Sequence, residues 1–183
     1  MSLQSIYPKV GRAGDLILPQ QIHSRLVNRG GNRTEADIQA DVRGLLLLPQ
    51  LQLDDDDIRI VSLEAQLGDG RRIDVEIGSA AIEIKKDLRP RRVKAEALVQ
   101  LRGYVEQRTR STGTRYVGIL TDGVEWHCYD LAGDEFRLVS SFDASASDVA
   151  RLVVWLEGVL ATARGIPATS AEIASRLGAD CAT

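Results

Sequence analysis

Residues 73–85 of this chain read IDVEIGSAAIEIK, and this stretch decides the fold. Isoleucine and valine alternate with polar residues around Gly78-Ser79, which predicts two short strands joined by a two-residue turn. A glycine in the first loop position favours a type II′ turn. Such a hairpin gives the residue pairs Ile77–Ala80, Val75–Ile82 and Asp74–Glu83.

The Asp74–Glu83 pair falls at a non-hydrogen-bonded position, where facing side chains come closest. Two carboxylates about 5 Å apart repel each other by roughly 3 kcal/mol at an effective dielectric constant of about 20. A divalent cation between them would turn this cost into binding energy, and oxygen ligands suit magnesium or manganese. Lys85, on the same face, would then hold and polarise a water molecule. The alternative is an amphipathic hairpin whose polar face only meets solvent.

A long helical pattern follows, from about Arg91 to Arg108. Four residues share one face of this helix at positions i, i+4, i+7 and i+11, namely Val93, Ala97, Gln100 and Tyr104. Gln100 therefore interrupts an apolar stripe, and a buried amide needs hydrogen-bond partners. It is either a functional residue or a glutamine at the rim of the core.

An earlier helix opens at Thr34, which is a favoured N-cap residue. Asp37 stands where a capping box would have Glu or Gln, so the sequence predicts an imperfect box. Glu35 shares a helix face with Ile38 and Gln39, which turns this carboxylate toward the interior. The alternative is an ordinary first-turn acid that the helix dipole favours.

Taken together, these residues resemble the PD-(D/E)xK nuclease superfamily. The matching elements, in family order, are Glu35, Asp74, the triplet Glu83-Ile84-Lys85 and the element Gln100-x-x-x-Tyr104. The closest likeness is to the nuclease domain at the N-terminus of the motor (R) subunits of type I restriction enzymes and of related restriction–modification proteins. The resemblance spans roughly residues 30–131, and Ile73 stands where the family name has proline.

The resemblance implies a magnesium-dependent DNA endonuclease of a restriction or DNA-defence protein, with manganese able to substitute. Asp74, Glu83 and the backbone carbonyl of Ile84 would hold the metal, and Glu35 would support a second ion or its water. Lys85 would orient the attacking hydroxide and stabilise negative charge on the phosphorane. The resemblance further implies that Gln100 steadies the site or touches nucleic acid, and that Tyr104 buttresses the site or contacts a phosphate.

Basic residues follow the hairpin closely, although the net charge is −3 and the pI is about 5.5. This overall charge argues against a general nucleic-acid-coating protein. A positive rim beside an acidic metal site is nevertheless what binding to a phosphate backbone requires. The alternative is a solvated helix start. The predicted nucleic-acid contacts are Lys86, Arg89, Arg91, Arg92 and Lys94, together with Tyr104.

The whole pattern predicts an α/β domain, and the resemblance implies a restriction-endonuclease-like αβββαβ core. We expect a mixed central sheet flanked by helices, with an additional C-terminal hairpin and helix. We expect residues 1–165 to form the nuclease-like domain and residues 166–183 to form a connector or short terminal helix. No apolar run approaches the roughly 18 residues that a membrane span needs. The two cysteines lie far apart, and a cytoplasmic location is the simplest inference.

Several alternatives stay open on the sequence alone. The chain could be a non-catalytic DNA-binding module with a nuclease-like fold, or a protein-interaction scaffold with a coincidental acidic hairpin. A junction resolvase or an RNA-directed member of the same fold is a further enzymatic alternative. We also expect the chain to be a fragment that functions with a motor or methyltransferase module in the same protein or complex.

Overall fold

A computed structural model describes residues 19–30, 32–49, 51, 62–66 and 72–163. The expected connector at residues 166–183 therefore lies outside the described residues. Within the described part of the chain, no helix is long and apolar enough to cross a membrane.

A six-stranded mixed sheet forms the centre of the molecule, and its strands follow one another in chain order. Strands β3 and β4 are parallel, and all the other neighbouring pairs are antiparallel. The single parallel pair requires a crossover connection, which a helix supplies. The strands are β1 (Ser62–Gln66), β2 (Arg72–Ile77), β3 (Ala80–Ile84), β4 (Val117–Thr121), β5 (Glu125–Ala132) and β6 (Glu135–Asp143).

Helices cover both faces of this sheet. They are α1 (Pro19–Val27), α2 (Glu35–Leu46), α3 (Arg91–Thr112) and α4 (Val149–Ala163), with one 3-10 turn at Ala144–Ala146. Helices α1, α2 and α4 bury their apolar residues in one core with Val75, Ile82 and Ile119. Helix α3 packs on the opposite face, where Leu101 and Tyr104 join Ala81 and Leu120. The expected α/β class, αβββαβ element order and mixed sheet are confirmed.

The central hairpin has the register that the alternating pattern predicts. Ile77 pairs with Ala80 and Val75 pairs with Ile82. Gly78 has a φ of 52°, a left-handed value that glycine adopts without steric cost. Extending this register by one step brings Asp74 opposite Glu83, at the open end of the hairpin.

The start of helix α2 differs from the sequence-based expectation. The Thr34 hydroxyl accepts a hydrogen bond from Asp37 N–H, and the Asp37 carboxylate accepts one from Thr34 N–H, so this capping box is complete. Aspartate is long enough to close the box that we expected to be imperfect.

The close approach of helix α3 to the sheet depends on Gly118 in strand β4. A Cβ atom added there would lie 2.8 Å from Cγ of Leu101 and 3.0 Å from Cζ of Phe136. Both distances are shorter than an ordinary van der Waals contact, and Leu101 is completely buried. The absent side chain therefore sets how near α3 lies to the strands that carry the candidate site.

Replacing Gly118 by alanine is expected to destabilise the fold by about 1–3 kcal/mol, because the buried Leu101 side chain must move to admit the methyl group. Chemical denaturation would measure this change. Gly158→Ala is the matched control, since its Cβ would meet nothing within 4 Å on an exposed part of α4. That control should raise stability by up to about 1 kcal/mol through helix propensity. Equal stability of Gly118→Ala and the unmodified protein would contradict the packing argument.

Candidate active site

The two acidic residues of the hairpin differ sharply in their surroundings. Glu83 is completely buried, whereas Asp74 is half-buried. The Ile84 N–H donates a hydrogen bond of 2.7 Å to Oδ2 of Asp74, which ties the first carboxylate to the strand that carries the second. The hairpin register and this bond together fix both acids at one end of the β2–β3 ladder.

Lys85 lies between three acids. Its Nζ atom is 2.6 Å from Oε1 of Glu83 and 3.8 Å from Oε2 of Glu35. The Lys85 N–H donates to the carbonyl of Thr121 at 3.0 Å, which extends the parallel pairing of β3 and β4 by one residue. The backbone therefore holds the ammonium group beside the carboxylates, as the sequence predicted.

Glu83 carries the most perturbed carboxyl group of this set. Burial, together with the nearby negative charge of Asp74, raises the pKa of Glu83 to about 7 against the lowering effect of Lys85. Its Oε2 atom has no hydrogen-bond partner among the described residues. A buried carboxylate oxygen without a donor is costly, so this atom is available to a cation.

The pKa of Lys85 lies above its ordinary value. Burial alone would lower this pKa, but the carboxylates of Glu83, Glu35 and Asp74 outweigh that effect. Lys85 therefore keeps its proton at neutral pH. It can donate hydrogen bonds to a substrate oxygen and cannot act as a general base there.

Glu76, two residues from Asp74 on the same strand, shows the contrasting case of a structural acid. Arg108 Nη2 lies 2.7 Å from its Oε2 atom, and the Tyr116 hydroxyl donates to its Oε1 atom at 3.0 Å. Both oxygens of Glu76 are therefore satisfied by protein donors. Glu83 differs from Glu76 in being a buried acid with an oxygen that has no donor among the described residues.

Helix α2 supports the site from the other side of the hairpin. Glu35 is its first residue and extends toward Lys85, with about half of its side chain exposed. One turn later, Gln39 donates a hydrogen bond of 2.6 Å to the carbonyl of Asp74. The sequence placed Glu35 and Gln39 on one face, but it gave Gln39 no role. The spacing of Glu35 and Gln39, two polar residues one turn apart on the same face of α2, was the sequence signal that could have indicated a role for Gln39.

Helix α3 contributes Gln100 and Tyr104, which lie one turn apart and are joined by a hydrogen bond from Gln100 Nε2 to the Tyr104 hydroxyl. Burial raises the pKa of Tyr104, with contributions from the charges of Glu83 and Asp74, so the hydroxyl lies near the acids. Only 1% of Tyr104 is exposed. This burial favours the first of the two expected roles of Tyr104, a buttress behind the carboxylates, over contact with a phosphate.

The predicted basic rim divides into two groups. Lys86, Arg91 and Arg92 are exposed on the loop after β3 and on the first turn of α3. Lys86 and Arg91 have no ion-pair partner among the described residues, and Arg92 makes an exposed pair of 3.4 Å with Glu96. Exposed pairs of this kind contribute little stability, so all three cations are available to an anionic partner.

The other two predicted cations are engaged within the protein. Arg89 makes an ion pair of 2.7 Å with Asp87. The Lys94 ammonium group lies 2.9 Å from Nε2 of His127 and is half-buried. Lys94 is therefore directed toward strand β5 rather than into solvent.

A pocket of about 400 Å³ adjoins the acidic centre, and Glu35 and Lys85 line it. Arg29 and Arg33 also line this pocket, although no motif in the sequence predicts a role for either. Both lie in the connection between α1 and α2, far from the hairpin along the chain. A cluster of arginine, asparagine and glycine at residues 28–33 was the only local signal.

Magnesium is commonly held by one or two carboxylates, with water and substrate phosphate completing its coordination. Asp74 and Glu83 supply two carboxylates, and Ile84 adds a neighbouring backbone carbonyl. The part of the chain that the structure describes contains no group of three or more His, Cys, Asp or Glu side chains suited to a metal. The donor set, with one buried oxygen lacking a partner, fits a magnesium or manganese ion that keeps part of its water shell.

Comparison with known proteins gives no relatives. No protein-family model matches the chain, no curated protein matches it, and no solved structure matches its fold.

Proposed function

We propose that this chain is a metal-dependent deoxyribonuclease with a fold of the PD-(D/E)xK type. One observation carries the proposal. Glu83 is fully buried beside Asp74, its Oε2 atom has no donor among the described residues, and Lys85 occupies its other oxygen. A purely structural acid would be satisfied by protein donors, as Glu76 is.

Asp74, Glu83 and the carbonyl of Ile84 would hold the ion. When bound, magnesium would polarise the phosphodiester and lower the pKa of the attacking water. Lys85 donates hydrogen bonds to the phosphate oxygens on which negative charge grows, because its raised pKa keeps it protonated. The water oxygen bonds to phosphorus, the bond from phosphorus to the leaving sugar oxygen breaks, and the proton that the water loses ends on that sugar oxygen.

The surrounding residues have positioning roles in this proposal. Glu35 limits the movement of Lys85 from one side, and its carboxylate would support a second ion or the water bound to it. Gln39 fixes the backbone of Asp74. The Gln100–Tyr104 pair supports the acids from helix α3. Lys86, Arg91 and Arg92 form the exposed cationic surface that DNA phosphates would contact.

Magnesium-dependent nicking of supercoiled plasmid is the direct test. We expect conversion to open-circular or linear DNA with magnesium or manganese, and none when the metal is removed by a chelator. Arg151→Ala is a suitable control variant, because Arg151 is exposed on α4 and takes no part in the proposed site. Cleavage that persists in chelator would contradict the metal-dependent mechanism.

A non-catalytic DNA-binding module is the second candidate. Its support is the exposed cationic surface of Lys86, Arg91 and Arg92, which can contact DNA phosphates whether or not the acids hold a metal. Intact DNA binding without cleavage, with or without metal, would favour this module. We further propose that the chain acts with a motor or methyltransferase module in a restriction system, as the sequence resemblance implies.

A further inference from the structure

The pocket beside the acidic centre is formed by three segments that are distant in sequence. The end of α1, the connection to α2 and the start of α2 form one wall. The loop from β3 to α3 and the start of α3 form another, and Asp122 after β4 completes the pocket. Its lining residues are Leu26, Asn28, Arg29, Arg33, Glu35, Ile38, Lys85, Lys86, Asp87, Arg89, Pro90, Val93 and Asp122. Asp74 and Glu83 do not line the pocket, so it lies beside the proposed metal centre.

The charge of the pocket favours an anion. Five cationic side chains line it against three carboxylates. Arg29 is held by ion pairs of 3.3 Å with Asp122 and 3.6 Å with Asp87. Arg33 is held by Asp41. The two guanidinium groups are therefore already positioned, while Lys86 has no ion-pair partner among the described residues and is exposed at the mouth.

The floor of the pocket is apolar. Leu26 and Ile38 are both buried, with 2% and 4% exposed, and Val93 and Pro90 complete this surface. A nucleotide combines an anionic phosphate with a flat, weakly polar base, which matches a cationic rim above an apolar floor. The volume of about 400 Å³ lies within the range of small-molecule sites. A base pair within a stacked duplex cannot enter such a pocket, whereas one unpaired nucleotide can.

The geometry points to a site for one unpaired nucleotide of the DNA strand, next to the phosphodiester that is cut. This inference rests on the proposed nuclease function, because the pocket shares Glu35 and Lys85 with the catalytic centre. It specifies the substrate class as DNA with unpaired nucleotides at the cleavage position, such as a single strand, an overhang or a flipped base. A free nucleoside phosphate has the same chemistry and is the other possible source of the ligand.

The test measures binding of the full chain carrying Asp74→Asn, a change outside the pocket that prevents cleavage. Three labelled oligonucleotides of one sequence are compared: blunt duplex, duplex with a short overhang, and single strand. The overhang and the single strand should bind at least about tenfold more tightly than the blunt duplex, because unpairing costs a few kcal/mol that only the duplex must spend. Equal affinity for all three would overturn the inference.

Val93→Trp, added to this background, fills the pocket. It should remove the preference for unpaired DNA and leave blunt-duplex binding within about twofold. Val99→Trp on the same helix is the matched control, since Val99 is 74% exposed and does not line the pocket. If Val93→Trp fails to fold, as judged by circular dichroism, Arg89→Ala with Arg151→Ala as its control replaces it. A preference that survives in the folded pocket variant would overturn the inference.

Competition distinguishes the two sources of the ligand. Deoxynucleoside monophosphates at millimolar concentration should compete only weakly with the overhang substrate. Competition stronger than that of the oligonucleotide itself would assign the pocket to a free nucleotide and overturn the inference. Failure of the nuclease proposal has a different signature, namely no plasmid nicking by the unmodified protein while the binding preference stands. Nicking without any preference for unpaired DNA would refute only the pocket assignment.

Discussion

Replacing Lys85 by alanine is expected to lower the rate of plasmid nicking by about 10²–10³-fold, the usual effect of removing one preorganised donor from a phosphoryl or acyl transfer site. The expectation follows from two observations. The Lys85 ammonium group is 2.6 Å from Glu83 and stays protonated, because the surrounding carboxylates raise its pKa. It is the one cation that the described hairpin places directly beside the proposed metal ligands.

The rate should be measured with saturating magnesium, so that any loss of metal affinity is separated from the loss of the donor. Lys85→Arg keeps the charge and should recover part of the activity. Arg151→Ala should nick at the unmodified rate. Activity of Lys85→Ala within about threefold of the unmodified protein would refute the assigned role.

A stability readout shows whether the variant merely unfolds. Removing Lys85 leaves the buried Glu83 carboxylate without its ion-pair partner, which is costly at a pH where that carboxylate is charged. The loss of stability should therefore be larger near pH 8 than near pH 5. An activity loss measured where the variant is still folded then belongs to the chemistry.

The hairpin was predictable because its determinants are local. Alternation of apolar residues fixes which side chains share a face, and a glycine in the first loop position fixes the turn. Those two facts alone give the register that brings Asp74 to Glu83. The N-cap at Thr34 is equally local, since the capping bonds join residues three apart.

The extent to which each site residue is buried was not predictable from the same pattern. Glu83 and Asp74 both occupy polar positions in the alternation, yet one is completely buried and the other is half-buried. Tyr104 carries a hydroxyl on an amphipathic helix, and either burial or exposure is consistent with that position. Such differences depend on how helix α3 packs on the sheet. The close approach at Gly118 determines this packing, and no local sequence pattern encodes it.

The pocket illustrates a second limit. Arg29 and Arg33 reach the site only because α1 and α2 pack beside the hairpin, and no motif in the sequence links them to Lys85. Their ion pairs join residues that are eight or more positions apart, as in the pair of Arg29 with Asp122. Periodicity identifies the face of a helix but not the partner that the face meets.

Glu83→Gln is expected to stabilise the metal-free protein while abolishing cleavage. The pKa of Glu83 is raised from 4.5 to about 7 in the folded state, so folding favours the protonated form. The favourable contribution of the neutral carboxyl is fully present below pH 4.5 and is lost as the pH rises through about 7. Near pH 8 the buried charge therefore opposes folding, and an amide of similar shape removes that charge.

The upper limit of the effect follows from the shift itself, at about 1.4 kcal/mol for each pH unit, which gives roughly 3 kcal/mol. Loss of the ion pair with Lys85 offsets part of this gain. We expect Glu83→Gln to be about 1–3 kcal/mol more stable near pH 8 and equal to the unmodified protein near pH 5. Denaturant unfolding in chelator at both pH values would measure the difference.

Glu76→Gln is the matched control, because Glu76 is also a buried acid of the hairpin. Its carboxylate is paired with Arg108 and accepts a hydrogen bond from Tyr116, so its removal leaves a partly buried cation without that partner. Glu76→Gln should therefore destabilise the protein near pH 8 by about 1–3 kcal/mol, the opposite sign. Two buried acids on adjacent strands would then be separated by experiment into one that holds the fold together and one that opposes it.

Magnesium should stabilise the unmodified protein near pH 8, where the buried Glu83 charge otherwise opposes folding, but it should not stabilise Glu83→Gln. Binding of the ion stabilises the folded state by mass action, and a carboxylate must lose its proton to become a ligand. The stabilisation by magnesium should consequently grow as the pH rises from 6 to 8 and be absent in Glu83→Gln. A variant that gains no stability near pH 8 would contradict the cost of burying the charge. One that still responds to magnesium would show that the buried carboxylate is not the metal ligand. The unfavourable burial of Glu83 would then not be explained by metal binding.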